Sequence, residues 1–391
     1  MKVAFLEKLV CPISGNSLKL ISFESETIKD GGHAIPLVKE GILVSMDTGV
    51  WYPISNYIPV MLVFTTPFHF EFYKRNKAKI LEAGNFIMPN LRCERGENFI
   101  QKTFTEEWNL TQESDLSFLR TDEDLINLNK YVWLKWINNN QHIKFLLNVG
   151  CGIGKETIAL NEVTKAKEIV AVDLNFSVLQ AGIRYKNLAN IEFVICSLFH
   201  MPFHKNSFDL VYSQGVIHHT FSTYCAFKKI SEFVCDNGFL FTWVYALEDH
   251  LVDRNQSTIK DFRKSVKHLL KNCWWWMEYC LRPWLSKAPP FIRTPVIGLL
   301  SIILHPIIKS RVIHKDKWKL INTKHSLRDV FTPAYAYRHS FNEVINWYEE
   351  NNFVIFDIQS AFAHITYFNG KKIHGIGMTG RKQKDDFFTS N

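Results

Sequence analysis

The stretch Phe145-Leu-Leu-Asn-Val-Gly-Cys-Gly-Ile-Gly-Lys155 constrains this chain's fold most, because an apolar run opens directly into glycines at three alternate positions. Such a run is expected to be a strand that turns tightly into a helix. Gly150, Gly152 and Gly154 permit backbone conformations closed to other residues, and they let a ligand approach where a Cβ would collide. The turn is therefore suited to cradle a nucleotide. The dinucleotide spacing G-x-G-x-x-G requires glycine at position 155, where Lys155 stands, so nicotinamide and flavin cofactors fit poorly.

Four further blocks follow in order. Glu168-Ile-Val-Ala-Val-Asp173 ends on an acid about 20 residues past the last glycine, where such folds place the carboxylate that accepts ribose hydroxyls. Ile191 to Phe203, Ser207 to His219 and Asn237 to Tyr245 supply three more strands with their loops. Strands alternating with helical stretches specify an α/β nucleotide fold. In glycine spacing and block order the chain resembles the class I (Rossmann-like) S-adenosylmethionine-dependent methyltransferases, specifically their UbiE-like, small-molecule branch. The resemblance implies a Rossmann-like sheet with helices on both faces and S-adenosyl-L-methionine as cofactor. It places cofactor binding on Asn148, Gly150, Gly152, Gly154, Asp173, Leu174, Ser197, Leu198 and Gln214. The family usually has an acid where Asn148 stands, orienting the methionine end, and another where Ser197 stands, accepting from the adenine amino group. Asn and Ser still accept hydrogen bonds but forgo a charged acceptor, which makes a bond roughly twice as strong.

Residues 1–63 read as a separate small β-rich module. Phe5 to Leu18 and Gly41 to Leu62, ending in Tyr52-Pro-Ile and Ile58-Pro-Val-Met-Leu62, resemble the Trm112-like, zinc-ribbon domain. The two C-x-x-C pairs of zinc-bearing members fall on Cys11, Ser14, Ser45 and Thr48. Structural zinc takes four N or S ligands, so no metal is expected and the module must rely on its apolar residues or on docking.

The 391 residues are 47% hydrophobic and 21% charged, ample material for a buried core. The eight cysteines form no C-x-x-C pair, so neither a disulfide framework nor a zinc cluster is expected, and the compartment is expected to be reducing and cytoplasmic. The net charge of +8 permits an anionic partner without naming one.

Residues 64–140 have a helical pattern, with Phe104 and Trp108 at the spacing of a segment that covers the cofactor in the resembled family, and Thr121-Asp-Glu-Asp124 starting a helix. Residues 141–245 are the expected core. Residues 246–325 are an insertion containing Trp274-Trp275-Trp276 and the apolar run Val296 to Leu304, flanked by Arg293, Lys309 and Arg311. Two expectations fit it, a helical cap walling an apolar acceptor pocket or a helix peripheral to a membrane, and the cap is preferred. Residues 326–385 return to the core through a helix that starts with the capping box Ser340 to Glu343 and strands at 354–359 and 374–379.

A sulfonium is already an activated methyl donor, so the protein must chiefly align the acceptor and exclude water, with a general base only for a protonated acceptor. His219, Tyr245 and His339 are the catalytic candidates, all expected at the carboxyl edge of the sheet. Transfer to a small-molecule, lipid or saccharide-linked acceptor leads. An RNA or protein methyltransferase using the Trm112-like module in cis is the alternative, although Ser213-Gln-Gly-Val replaces the Asn/Asp-Pro-Pro-Tyr/Phe loop common in amino and adenine-N6 methylation. A non-catalytic binding protein is the third, and no DNA partner is expected.

Overall fold

The computed structural model describes residues 1–109, 121–137, 142–247, 276–312, 315–359 and 375–384. Among them, seven strands form one sheet. β5 (Phe145–Val149), β6 (Glu168–Asp173), β7 (Ile191–Ile195), β8 (Phe208–Gln214) and β9 (Val234–Val244) run parallel. β11 (Ile376–Lys382) lies antiparallel between β9 and β10 (Phe353–Ile358). The spatial order is β7-β6-β5-β8-β9-β11-β10.

Alternate strand residues point to opposite faces, and each face has its own core. Leu147, Val149, Val170 and Val172 join a cluster with Phe227 of α6 (Thr223–Ser231) and Trp347 and Tyr348 of α10 (Phe341–Glu350). Leu146, Ile169 and Ala171 join a second cluster with Leu160 of α4 (Lys155–Thr164), Ala181 of α5 (Val178–Tyr185) and Leu128 of α3 (Asp122–Leu128). Helices therefore cover both faces, which is why these strands read as continuous apolar runs. α10 seats closely because Gly380 lacks a side chain: a Cβ there would stand 2.3 Å from the Tyr348 ring. The Tyr348 hydroxyl reaches the Met378 carbonyl at 2.7 Å.

The N-terminal residues form an antiparallel meander of β1 (Lys19–Asp30), β2 (His33–Val44), β3 (Trp51–Ser55) and β4 (Ile58–Pro59). They dock on the main sheet. Val60 pairs in parallel with Ile195 and the Met61 N–H donates to the Ile195 carbonyl at 2.7 Å, so the module covers the β7 edge of the main sheet. Met1, Phe5, Leu9 and Cys11 belong to the same core cluster as Val149 and Val172. A module of about 60 residues is marginal alone, and this shared core enlarges what it buries. The four positions aligned with zinc ligands are hydrogen-bonded instead. Cys11 Sγ lies 3.4 Å from the Tyr52 hydroxyl, Ser45 donates to Asp47, and the Ser14 and Thr48 hydroxyls accept from the Asn16 and Val50 N–H groups.

α1 (Pro67–Ala83) and α2 (Glu97–Asn109) link the meander to the sheet. α3 starts at a reciprocal capping box, in which Thr121 Oγ1 accepts from the Asp124 N–H and the Asp124 carboxylate accepts from the Thr121 N–H. α7 (residues 276–285), α8 (Pro290–Arg311) and α9 (Leu320–Phe331) pack around Leu285, Ile297, Leu327 and Phe331. Trp274, Trp275 and position 374 of the last expected strand lie outside the described residues.

Candidate active site

Chain order in the sheet reverses between β5 and β8, and ligands of open α/β sheets bind in the crevice outside the carboxyl ends at such a point. A cavity of about 630 Å³ lies there, within the usual range of small-molecule sites, about 300–1,000 Å³. One end is built by the turn after β5. Gly150 has φ 83°, and a Cβ on it would stand 2.0 Å from Val216 Cγ2, so only glycine lets this turn pass the loop after β8.

Asp173, at the end of β6, faces that turn. Its Oδ2 accepts from the Gly152 N–H at 2.8 Å, and its Oδ1 accepts from the Asn175 N–H at 3.0 Å and the Asn175 amide at 2.6 Å. A carboxylate offers about four acceptor sites, so about one remains for an incoming hydroxyl. Burial pushes the Asp173 carboxyl up from its ordinary value, against the pull of those donors.

Gly150, Gly152, Asp173, Leu174, Leu198, Gln214, His219 and Tyr245 share the cavity wall, whereas four other expected site residues stand behind it. Asn148 is buried and its amide donates to Thr157 Oγ1 at 3.0 Å, tying β5 to α4. Gly154 is the left-handed residue that opens α4, its N–H spent on the Cys151 carbonyl. Ser197 is fully buried and its hydroxyl accepts from the Phe199 N–H at 3.0 Å. His339 has both ring nitrogens engaged, Nδ1 with Glu343 at 2.8 Å and Nε2 with Thr223 Oγ1 at 2.9 Å, so it clasps the end of β9 to α10.

His219 Nδ1 lies 2.8 Å from the Tyr335 carbonyl, which can only accept, so the proton sits on Nδ1 and Nε2 keeps the lone pair. Burial lowers its pKa to about 4 and the ring is neutral near pH 7. Tyr245 packs against His218 and His219, with the Arg338 guanidinium 5.1 Å from its ring centre. Burial raises its phenol, which stays protonated.

α2 closes the site from above. Phe104 lines the cavity and meets His219 edge-on at 5.6 Å. The Trp108 side chain lies outside the described ones. Thr105 Oγ1 accepts from the Phe176 N–H and the Thr105 carbonyl from the Ser177 hydroxyl, fixing α2 to the loop after β6.

Two wall residues were not found by sequence reasoning. Glu97, buried in α2, hydrogen-bonds the Ser197 side chain, and burial raises its pKa. Asp329 of α9 also lines the cavity, as do Trp318 and His325. Burial lifts its carboxyl to about 6, opposed by Arg282 and assisted by Glu278. Neither carries a local signal, because each reaches the cavity only through helix packing. The described residues 276–311 do not line the cavity, whereas Val312, Trp318 and His325 of the same insertion do, with Ser326 and Asp329 of α9 beside them.

The residues present fit S-adenosylmethionine. A carboxylate with a spare acceptor site, a glycine turn running into the N-terminus of α4 and apolar Leu174 and Leu198 line one end of a cavity of ligand size. Residues 147–242 match the family described as a methyltransferase domain. No curated protein matches the chain. Among solved structures it is similar to the complex of the Trm112 methyltransferase activator and a putative methyltransferase from Haloferax volcanii, at 9% identity over 73% of this chain and 98% of that one, TM-score 0.40. It is also similar to magnesium protoporphyrin IX methyltransferase from Synechocystis with bound S-adenosylhomocysteine, at 12% identity, 73% and 98% coverage and TM-score 0.39. A putative methyltransferase from Bacillus halodurans gives 11% identity, 68% and 99% coverage and TM-score 0.37. Likenesses this distant add nothing to the fold already described. With the matched segment running from β5 into β9 and forming the glycine-turn end of the cavity, the chain carries a methyltransferase domain and is an S-adenosylmethionine-dependent methyltransferase.

Proposed function

We propose that this enzyme methylates a small-molecule, lipid or saccharide-linked acceptor that enters the end of the cavity walled by Phe221, Tyr245, Trp318 and Asp329. The observation that carries the reading is that one cavity is lined both by the glycine turn and by these residues. Such a recess suits a ligand with an apolar body and few polar groups. When bound, S-adenosylmethionine supplies a methyl group already activated on a sulfonium. Gly150, Gly152, Asp173, Leu174, Leu198 and Gln214 hold the donor, with the free acceptor site of Asp173 taking a ribose hydroxyl. Glu97, bonded to Ser197, restores a carboxylate beside the position where the resembled family carries its adenine-binding acid. α2, through Phe104, excludes water.

At the far end His219 Nε2 accepts a hydrogen bond from the acceptor and orients it, since a ring of pKa about 4 is a weak base. For a hydroxyl acceptor, Asp329, at about 6, takes the proton as the acceptor oxygen attacks. Asn148, Gly154, Ser197 and His339 act as positioning residues behind the wall.

Methyl-labelled S-adenosylmethionine incubated with the enzyme and a fractionated lysate tests the acceptor class. Label in the solvent-extractable or low-molecular-weight fraction is expected. Label confined to RNA or protein would replace this reading with the macromolecular one.

A further inference from the structure

The face of α8 turned to solvent is more apolar than the face turned to the protein. Exposed positions recur at 290, 291, 295, 299, 302, 303, 306, 307 and 310, one stripe at helical spacing on which Ser310 alone is polar. Phe291, Leu299, Ile302 and Ile303 on it are 77%, 61%, 63% and 58% exposed. The inward stripe carries Arg293, Ile297 and Ser301, with Arg293 paired to Glu106 of α2 at 2.9 Å. α7 repeats the inversion: Trp276, Tyr279 and Trp284 face outward, while Glu278 and Leu285 face inward. A helix of a soluble domain does the opposite, so these two stripes need a non-aqueous neighbour.

We propose that α7 and α8 seat the enzyme on an anionic lipid bilayer, lying in its interface. Charge selects this occupant. Residues 276–324 hold nine Lys and Arg against two Asp and Glu; Arg282 and Arg293 are paired inward, while Lys287, Lys309, Lys315, Lys319 and Lys324 are exposed or half-exposed. A cationic rim around an apolar stripe is attracted to anionic headgroups and repelled by a second copy of itself. Exposed Trp and Tyr suit the headgroup level. Pro290–Ser310 is long and apolar enough to cross a membrane, with mean hydropathy 1.8. It lies flat instead, because its inward stripe is engaged by Leu327 and Phe331 of α9 and by Glu106. At about 1.5 Å per residue the stripe from Phe291 to Ile307 presents roughly 24 Å of apolar edge. Val312, directly after the last residue of α8, lines the cavity, so the seat adjoins it.

The test is cosedimentation of the full chain with vesicles of phosphatidylcholine alone and of phosphatidylcholine with phosphatidylglycerol. Binding is expected to the anionic vesicles, weakening as salt rises. The triple variant Leu299→Ser, Ile302→Ser, Ile303→Ser should bind more than about a hundredfold more weakly. Lys287→Gln and Lys309→Gln should each cost about fivefold. Unchanged S-adenosylhomocysteine affinity in each variant shows an intact fold, since none of these residues touches the cavity. Equal binding of wild type and triple variant, or no vesicle binding at all, would overturn the proposal. So would a dimer in sedimentation velocity that the triple variant abolishes without any vesicle binding, or resistance of vesicle-bound protein to alkaline extraction, which marks a spanning helix.

Discussion

Glu278 is the hub of the charge network behind the acceptor end, and removing it should be felt in two independent quantities. Its carboxylate is 5% exposed and accepts from Arg282 and, through both oxygens at 3.0 Å, from Arg338 Nη2. The two guanidinium side chains are only 14% and 19% exposed. Breaking a buried pair by deleting one partner costs about 3–5 kcal/mol, because the other charge stays behind uncompensated. Arg282 keeps the Val330 and Ala336 carbonyls, which softens the loss, so about 3 kcal/mol is expected for Glu278→Ala. At a urea slope of about 3 kcal/mol/M, that moves the midpoint down by about 1 M. Electrostatics moves too. Glu278 raises the Asp329 carboxyl and Arg282 lowers it, so the variant should drop the Asp329 pKa below about 6. Urea melts read the first quantity, and carbon-13 titration of the Asp329 carboxyl reads the second. A midpoint shift under about 0.3 M, or an Asp329 pKa that rises, would refute the hub.

Other expectations concern single residues. Asp173→Ala should weaken S-adenosylhomocysteine about 10- to 150-fold in calorimetry, the worth of a charge-assisted bond of about 1.5–3 kcal/mol, and should also destabilise the turn by orphaning the Gly152 N–H. Unaltered affinity would remove the donor from this end of the cavity. Glu97→Gln should reduce the same affinity about fivefold while sparing stability, and an unchanged titration would end its role at the adenine. If Asp329 is the base, kcat/KM should rise with pH through about 6, because the deprotonated carboxylate is the active form and is lost as pH falls. Asp329→Asn should erase that limb and cost about 10²- to 10⁴-fold in rate, and a limb that survives the substitution assigns the titration to another group.

What the sequence made legible was local. The glycine turn and Asp173 could be read because strand, turn and acid lie within about 30 residues, the span of a βαβ unit. The departures at Asn148 and Ser197 were visible, but their consequences were not: one amide is spent on Thr157, and the other position is joined by a carboxylate 100 residues upstream. His339 was a catalytic candidate by order, and only packing shows that Glu343 and Thr223 engage its ring. The apolar run 296–304 was read as a pocket wall on the assumption that apolar residues face inward. Hydropathy along the chain cannot say which way a stripe turns, and here the packing of Ile297 on α9 turns the other stripe out.

Calorimetric titration of the full chain with S-adenosylhomocysteine tests most directly that the crevice between β5 and β8 holds S-adenosylmethionine. One molecule per chain is expected, with binding weakened by Asp173→Ala and by Gly150→Ala, whose Cβ would collide with Val216. No heat of binding from folded protein, or binding indifferent to both substitutions, would contradict it.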